Sequence, residues 1–259
     1  MMNRRVVVTG LGMVSPIGND VASSWQAALE GKSGIDRITA FDASAFGCQI
    51  AGEVKDFDAG KYLGVKEVRR FDRFVHFGVS AGIMALEDSG LEITDEFAPE
   101  CGCAIGSGIG GLPLICTNNE ACNERGPRRI SPFLIPGCII NMTSGQLAIM
   151  KNLKGPNIAH VTACSTGLHA IGEAMHIIAR GDATVMVAGG WGGPGYSVDE
   201  GRRWRLRVHD SSRGCRRLRQ HACALPSQRR SEDRLPSLRQ GPRRIRDGRR
   251  RGRPRSRGA

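Results

Sequence analysis

Cys164 is the residue in this chain whose type and setting best suit chemistry. It lies in Asn157-Ile-Ala-His-Val-Thr-Ala-Cys164-Ser-Thr-Gly-Leu-His-Ala-Ile-Gly172. The turn formers Gly155-Pro156-Asn157 precede an uncharged run, Ile158 to Ala163, which predicts a short buried strand. Beyond Cys164, the apolar residues Leu168, Ile171, Met175 and Ile178 recur at spacings of three and four, which predicts a helix. Ser165 and Thr166 suit its start and Arg180-Gly181 its end. A thiol at such a junction meets the unpaired N–H groups and the positive end of the helix. Both favour thiolate, the nucleophilic form. The same N–H groups can stabilise an oxyanion on an attacked carbonyl. The competing reading makes Cys164 a small buried core residue, the common fate of a free cysteine.

Other chemistry-bearing patterns are weaker. Gly10-x-Gly12 follows an apolar run but lacks the third glycine of a dinucleotide loop, and Pro16 stands where a helix should open. Ser107-Gly-Ile-Gly-Gly111 lacks the Gly-Lys-Ser/Thr ending of a phosphate-binding loop. Cys101-x-Cys103 and His221-x-Cys223 have no matching second pair, so no metal site is expected.

The elements around Cys164 read as alternating strands and helices. Arg4 to Thr9 predicts a first strand covered on both faces, and Asp20 to Leu29 a short helix. Residues 32–60 give mixed signals. Lys66 to Leu86 predicts one long helix with Val68, Phe71, Val75, Val79, Ile83 and Leu86 on one stripe, ended by Gly90. Its residues Gly78, Ala81, Gly82 and Ala85 keep that helix thin enough for close packing. Cys101 to Gly106 predicts a strand and Leu112 to Arg125 a helix. A proline-punctuated loop from Gly126 leads to Asn141, which suits the N-cap of a helix reaching Leu153. Asp182 to Gly190 predicts a last strand. This order indicates an α/β domain with a largely parallel sheet.

Several stretches together resemble one family. Thr162-Ala-Cys164-Ser-Thr-Gly-Leu-His-Ala-Ile-Gly172 is similar to the nucleophile segment of the β-ketoacyl-[acyl carrier protein] synthases, the condensing enzymes of fatty acid synthesis. Val6-Val-Val-Thr-Gly-Leu-Gly-Met-Val-Ser-Pro-Ile-Gly18, Gly106-Ser-Gly-Ile-Gly-Gly-Leu112 and Gly126-Pro-Arg-Arg-Ile-Ser-Pro-Phe133 resemble the same family in the same order. The second elongating type is the most similar, and the resemblance runs from about residue 3 to Gly190. It implies a thiolase-like layered fold, of which residues 1–190 are the first half, with helices on both faces of the sheet. It implies transfer of an acyl chain from phosphopantetheine on acyl carrier protein to Cys164, then decarboxylative condensation with malonyl-carrier protein. No tightly bound cofactor is implied. Ile109 and Phe133 match positions near the acyl pocket. Lys66, Arg69, Arg70, Arg128 and Arg129 match the surface that meets the acidic carrier, and Coulomb steering gives a reason for their charge. In the family, two histidines from the second half, with a lysine and a phenylalanine nearby, serve the condensation. No residue here matches them. His160, His169 and His176 are read as structural. The resemblance also implies a homodimer.

Composition changes after residue 190. Residues 1–200 hold 16 Lys and Arg against 21 Asp and Glu, whereas residues 201–259 hold 21 Arg, no Lys and 4 Asp and Glu. The net charge of +12 therefore comes from the end of the chain. In residues 191–259 aliphatic residues are sparse and aperiodic, and such a segment buries too little apolar surface to offset its ordering entropy. Three readings stand: a disordered tail, an arginine-rich tail for nucleic acid or anionic membrane, or out-of-frame translation of GC-rich coding sequence. Arginine without lysine favours the third. The second would make the chain a basic binding protein in place of an enzyme. His209 and His221 fall in this segment and match no family motif. Nine scattered cysteines, no leader-like opening and no apolar run of about 18 residues point to a cytoplasmic chain with reduced thiols and no membrane span.

Overall fold

The computed structural model describes residues 5–191. In chain order these form α1 (Val21–Leu29), β1 (Ile35–Arg37), β2 (Ile50–Gly52), α2 (Val65–Arg70), α3 (Arg73–Ser89), β3 (Cys101–Ser107), α4 (Leu112–Arg125), α5 (Leu134–Cys138), α6 (Met142–Lys151), β4 (Asn157–Ile158), α7 (Thr166–Arg180) and β5 (Val185–Trp191). β1 and β2 make a small antiparallel pair. The central sheet is parallel, with β3 between β4 and β5. Cys103 lies opposite Asn157, and Cys101 to Ser107 run opposite Val185 to Trp191.

All seven residues of β3 are buried, as a parallel strand covered on both faces must be. Its side chains alternate between two layers. Cys101, Cys103 and Ile105 join a core with Val75, Val79 and Ile83 of α3 and Leu147 of α6. Ala104 turns the other way, onto Ala170 and Ala174 of α7. The expected α/β architecture with helices on both faces is therefore present. Each large apolar side chain of the first core contributes about 1.5–3 kcal/mol by leaving water. The thin helix read from Gly78 and Gly82 has its use here. A Cβ on Gly82 would collide with Leu147 Cδ2, and one on Gly78 with Thr143 Cγ2, so both glycines let α3 and α6 approach closely.

Helix ends follow their sequence signals. Asp20 caps α1 by accepting from Ser23 N–H at 2.7 Å. Gly90 and Gly181 close α3 and α7 in the left-handed conformation, with φ of 63° and 90°. Asn141 occupies the predicted N-cap of α6, but its side chain makes no capping bond.

Three expectations need correction. The stripe from Lys66 to Leu86 is two helices, because Phe71 and Asp72 are extended (ψ 150° and 158°) and Asp72 caps α3 by accepting from Phe74 N–H. Periodicity reports a buried face, and that face continues across the break. Arg4 to Thr9 gives no strand among the described residues. Val8 is 76% exposed, and the following chain lies on α3: Leu11 N–H donates to Asp88 Oδ2 at 2.8 Å, and Gly10 and Gly12 touch the α3 backbone. The strand expected over Ile158 to Ala163 shortens to Asn157–Ile158. In α7 the side chains turned to the sheet are Ala170 and Ala174, while Leu168, Ile171 and Met175 are 78%, 50% and 43% exposed. Small residues allow close helix–sheet contact; the large apolar stripe points away from it.

β5 ends one residue beyond Gly190. Trp191 stacks on Phe77 with ring centroids 4.8 Å apart, and Phe77 meets Phe57 edge-on at 5.1 Å. The rest of the arginine-rich segment, with His209 and His221, lies outside the described residues.

Candidate active site

Cys164 sits in a 3-10 turn, Ala163–Ser165, that runs directly into α7. Its thiol group belongs to an exposed residue, so the buried-core reading does not hold. The turn is strained. Ala163 has φ of 51°, a left-handed conformation that costs a residue with a Cβ about 1–2 kcal/mol. Thr166, fully buried, offsets that cost. Its Oγ1 accepts from Thr162 N–H at 3.0 Å and donates to Ala163 C=O at 2.8 Å, closing the turn on both sides of the cysteine. Ser165 N–H donates to Thr162 C=O at 3.0 Å. Ser165 stands at the N-cap without a side-chain bond to the helix, so the N–H groups of the first turn are not capped by it. Cys164 thus lies two residues before α7, at the end of the helix where the backbone dipoles are positive.

The other described cysteines differ. Burial pushes the Cys103 thiol up to about 12, and burial also raises Cys101, Cys116 and Cys138. Thiols held protonated in this way are poor nucleophiles at neutral pH. Cys48 and Cys122 are half-buried.

The glycine-rich loop meets the cysteine turn through backbone. A Cβ on Gly108 would stand 3.2–3.4 Å from the backbone of Ala163, and one on Gly106 would strike the backbone of His160. Glycine at these positions is therefore a condition of contact between the loop and the turn. Ile109, exposed at the loop tip, is thus carried next to the turn that holds Cys164. His160 and His169 flank the turn with rings 4.4 Å apart. His169 Nδ1 lies 3.4 Å from Thr162 Oγ1, and His160 Nδ1 is buried without a hydrogen-bond partner.

The basic residues lie on two neighbouring segments. Lys66, Arg69 and Arg70 are exposed on α2; Arg128 and Arg129 are exposed in a 3-10 turn, Pro127–Arg129. α2 touches the chain that follows this turn. The Arg70 guanidinium lies 4.6 Å from the centre of the Phe133 ring, a cation–π contact. A Cβ on Gly137 would be 2.6 Å from Arg70 C=O, and Gly137 C=O accepts from Asp72 N–H at 3.2 Å. Phe133 therefore belongs to the contact between α2 and the chain that follows the Pro127–Arg129 turn. No distance places it beside Cys164. Sequence reading missed Thr166 and Asp72 as organisers of the site. A threonine at a helix start and an aspartate inside an apolar stripe were their signals. Among the described residues no group of His, Cys, Asp and Glu could hold a metal ion, and no helix is long and apolar enough to cross a membrane.

Comparison with known proteins gives a consistent picture. A family model described as the N-terminal domain of β-ketoacyl synthase matches residues 3–217. The 3-oxoacyl-[acyl-carrier-protein] synthase 2 of Vibrio harveyi is 58% identical over 190 residues, which are 73% of this chain and 46% of that protein. The same-named proteins of Coxiella burnetii and Staphylococcus aureus (strain N315) are 58% and 46% identical, with 46% of their length covered in each case. The chain thus spans about half the length of these curated relatives. Among solved structures, the ishigamide ketosynthase/chain length factor aligns with a TM-score of 0.62 at 30% identity, over 72% of this chain and 47% of that one. A ketosynthase solved in complex with its type II polyketide acyl-carrier protein aligns with a TM-score of 0.59 at 26% identity, over 71% and 49%.

Proposed function

The chain belongs to the β-ketoacyl synthase family, and from that premise we propose that Cys164 is the acyl-accepting nucleophile of a 3-oxoacyl-[acyl-carrier-protein] synthase of fatty acid elongation. The observation that carries this reading is the exposed thiol on a strained turn at the start of α7, with the glycine loop packed against the residue before it. Cys164 thiolate attacks the thioester carbonyl of an acyl group held on the carrier's phosphopantetheine. The oxyanion of the tetrahedral intermediate faces N–H groups at the helix start. The pantetheine sulfur leaves with the bonding electrons and takes up the proton that Cys164 gave up. The product is an acyl–Cys164 thioester, and no cofactor is consumed. Covalent capture divides one difficult step into easier ones.

In the second step a malonyl-carrier thioester loses carbon dioxide, and the carbanion so formed attacks the acyl–Cys164 carbonyl. The new carbon–carbon bond replaces the carbon–sulfur bond, and the thiolate is regenerated. The enolate stage needs donors and a dry pocket. The resemblance assigns those donors to the second half of the family's fold, and none of residues 1–190 matches them, so acyl capture is the step this half carries. Lys66, Arg69, Arg70, Arg128 and Arg129 form the carrier-protein surface in this reading, and Ile109 and Phe133 border the acyl path. The contact of Arg70 with Phe133, four residues beyond Arg129, brings α2 near the chain that carries Arg128 and Arg129. Residues 1–190 constitute the N-terminal half of the fold, and the intact enzyme works as a cytoplasmic homodimer.

Quantitative mass spectrometry of each cysteine tests the reading. Iodoacetamide and an acyl-carrier thioester are expected to modify Cys164 first and Cys103 last. Labelling of Cys164 no faster than Cys48 or Cys122 removes the activation argument. A malonyl decarboxylation assay on the same protein is expected to show little turnover. Full condensation by the 259-residue chain overturns the assignment of acid–base chemistry to the other half.

A further inference from the structure

Asp72 breaks the helix predicted over residues 66–86, and its contacts reach well beyond that break. Its side chain accepts from Phe74 N–H at 3.5 Å, capping α3. Its Oδ2 also accepts from Leu114 N–H at 3.0 Å, in the first turn of α4. Its own N–H donates to Gly137 C=O at 3.2 Å. One residue therefore ties together the end of α2, the start of α4 and the segment after the 3-10 turn. Burial pushes its carboxyl up, while the N–H groups of Leu114 and Phe74 work in the opposite direction. Serine caps a helix about as well as aspartate and buries no charge. Capping α3 alone does not explain a carboxylate here; reach to α4 does.

Each tied segment carries a part of the proposed site. α2 ends in Arg69 and Arg70, and the chain that leads into the Gly137 helix carries Arg128 and Arg129 in its turn and Phe133 at the helix N-cap. Gly111, at the N-cap of α4, lies so close that a Cβ would stand 2.9 Å from Asp72 Cβ and 2.9 Å from Cys138 Cα. From Gly111 the loop runs back through Ile109 to Gly108, which packs on Ala163 beside Cys164. Gly111 N–H also donates to Cys138 C=O at 2.9 Å, and Gly110 N–H to Ser107 Oγ at 3.0 Å. The Gly110–Ser107 bond holds the loop's shape. The Gly111–Cys138 bond ties the loop to the segment that holds Gly137, and the Asp72–Leu114 bond ties the start of α4 to the end of α2.

We propose that Asp72 is a positioning residue that holds the glycine loop 107–111 in fixed relation to the basic docking surface, so that a long acyl chain reaches Cys164. The proposal rests on the acyl-transfer reading and adds a residue that touches neither substrate nor thiol. Its prediction is selective. Loosening the loop disturbs the path of a long chain, leaves the thiol open to small reagents, and leaves α3 folded.

Two variants of the full chain separate positioning from capping. Asp72→Ser keeps the α3 cap but is too short to reach Leu114. Asp72→Asn keeps an oxygen with that reach and removes the charge. Amide hydrogen exchange is measured beside Cys164 modification by iodoacetamide, acetyl-pantetheine and dodecanoyl-pantetheine. In Asp72→Ser, Leu114 and Gly111 should exchange roughly tenfold faster while Val79 to Ile83 hold, the loss of one charge-assisted bond. Dodecanoyl transfer should fall roughly tenfold relative to iodoacetamide labelling, by the same equivalence. Asp72→Asn should recover most of both. Equal loss with all three reagents, or faster exchange throughout α3, reduces Asp72 to a structural cap and overturns the proposal. If the unaltered chain takes up neither thioester while iodoacetamide labels Cys164, the acyl-transfer reading fails. Exchange then decides the link alone: unchanged Leu114 and Gly111 in Asp72→Ser refutes it, and selective acceleration sustains it.

Discussion

Thr166→Val should loosen the turn that holds Cys164 more than Thr166→Ser does. Valine keeps the shape of threonine and removes its hydroxyl. Two bonds disappear: the one accepted from Thr162 N–H at 3.0 Å and the one donated to Ala163 C=O at 2.8 Å. Each neutral bond contributes about 1 kcal/mol net. Thr162 and Ala163 are exposed, so water can re-solvate their backbone groups and the full penalty for stranded polar groups does not apply. The expected loss is about 2 kcal/mol. Serine keeps both bonds and loses a methyl group, Cγ2, that packs against Gly106 and Gly190. One buried methyl group contributes about 1 kcal/mol. Urea unfolding of the full chain measures both, and the order Val worse than Ser is the test. Loss of support for the left-handed Ala163 should also slow acyl transfer to Cys164, by about tenfold for each 1.4 kcal/mol withdrawn from the turn. A valine variant within about 0.5 kcal/mol of the parent, or a serine variant that is the weaker of the two, refutes the claim that the hydroxyl holds the turn.

Glu53 gives an acid-linked test: burial works to raise its pKa, but bonds from the Thr39 hydroxyl and the Ala40 and Thr39 N–H groups outweigh it and hold the carboxyl below its ordinary value. Its stabilisation is therefore complete above the unfolded-state value, about pH 4, and is lost as pH falls through the lower folded value; Glu53→Gln should flatten that part of a stability–pH curve from urea melts. Leu168→Gln should leave thermal stability of this chain within about 0.5 kcal/mol of the parent, because the side chain is already in water, and a loss of 2 kcal/mol would mean that it is packed. Charge reversal at Arg69 and Arg128 should slow association with acyl carrier protein most at low ionic strength, and association rates that do not change there would count against one basic surface.

Much of the site was legible from residue types. Cys164, the helix behind it and its Gly181 stop follow from spacing and punctuation, and α7 begins within two residues of the thiol. The α4 bounds, Leu112 and Arg125, match the reading from Gly111 and Gly126. Less local features were not legible. Periodicity carried one helix across Asp72 because the buried stripe continues, while the backbone turns to satisfy contacts with Leu114 and Gly137. Val6-Val7-Val8 has strand propensity, but a strand requires a neighbour's N–H and C=O groups, no strand pairs with it among the described residues, and the chain from Gly10 onward lies along α3. The loop's approach to Ala163 depends on glycines 55 or more residues away, a tertiary fact that spacing along the chain does not encode.

The two faces of α7 have a thermal consequence. Unfolding raises heat capacity in proportion to the apolar surface newly given to water, and this sets the curvature of stability against temperature. Leu168 is already largely hydrated in the folded chain and Ile171 and Met175 about half so, and they add correspondingly less to that increase. Their helix meets the sheet through Ala170 and Ala174, which have little surface to release. This region therefore has a flatter temperature response than its count of apolar residues suggests. Any protein that later covers the stripe would sharpen that response without altering one bond around Cys164.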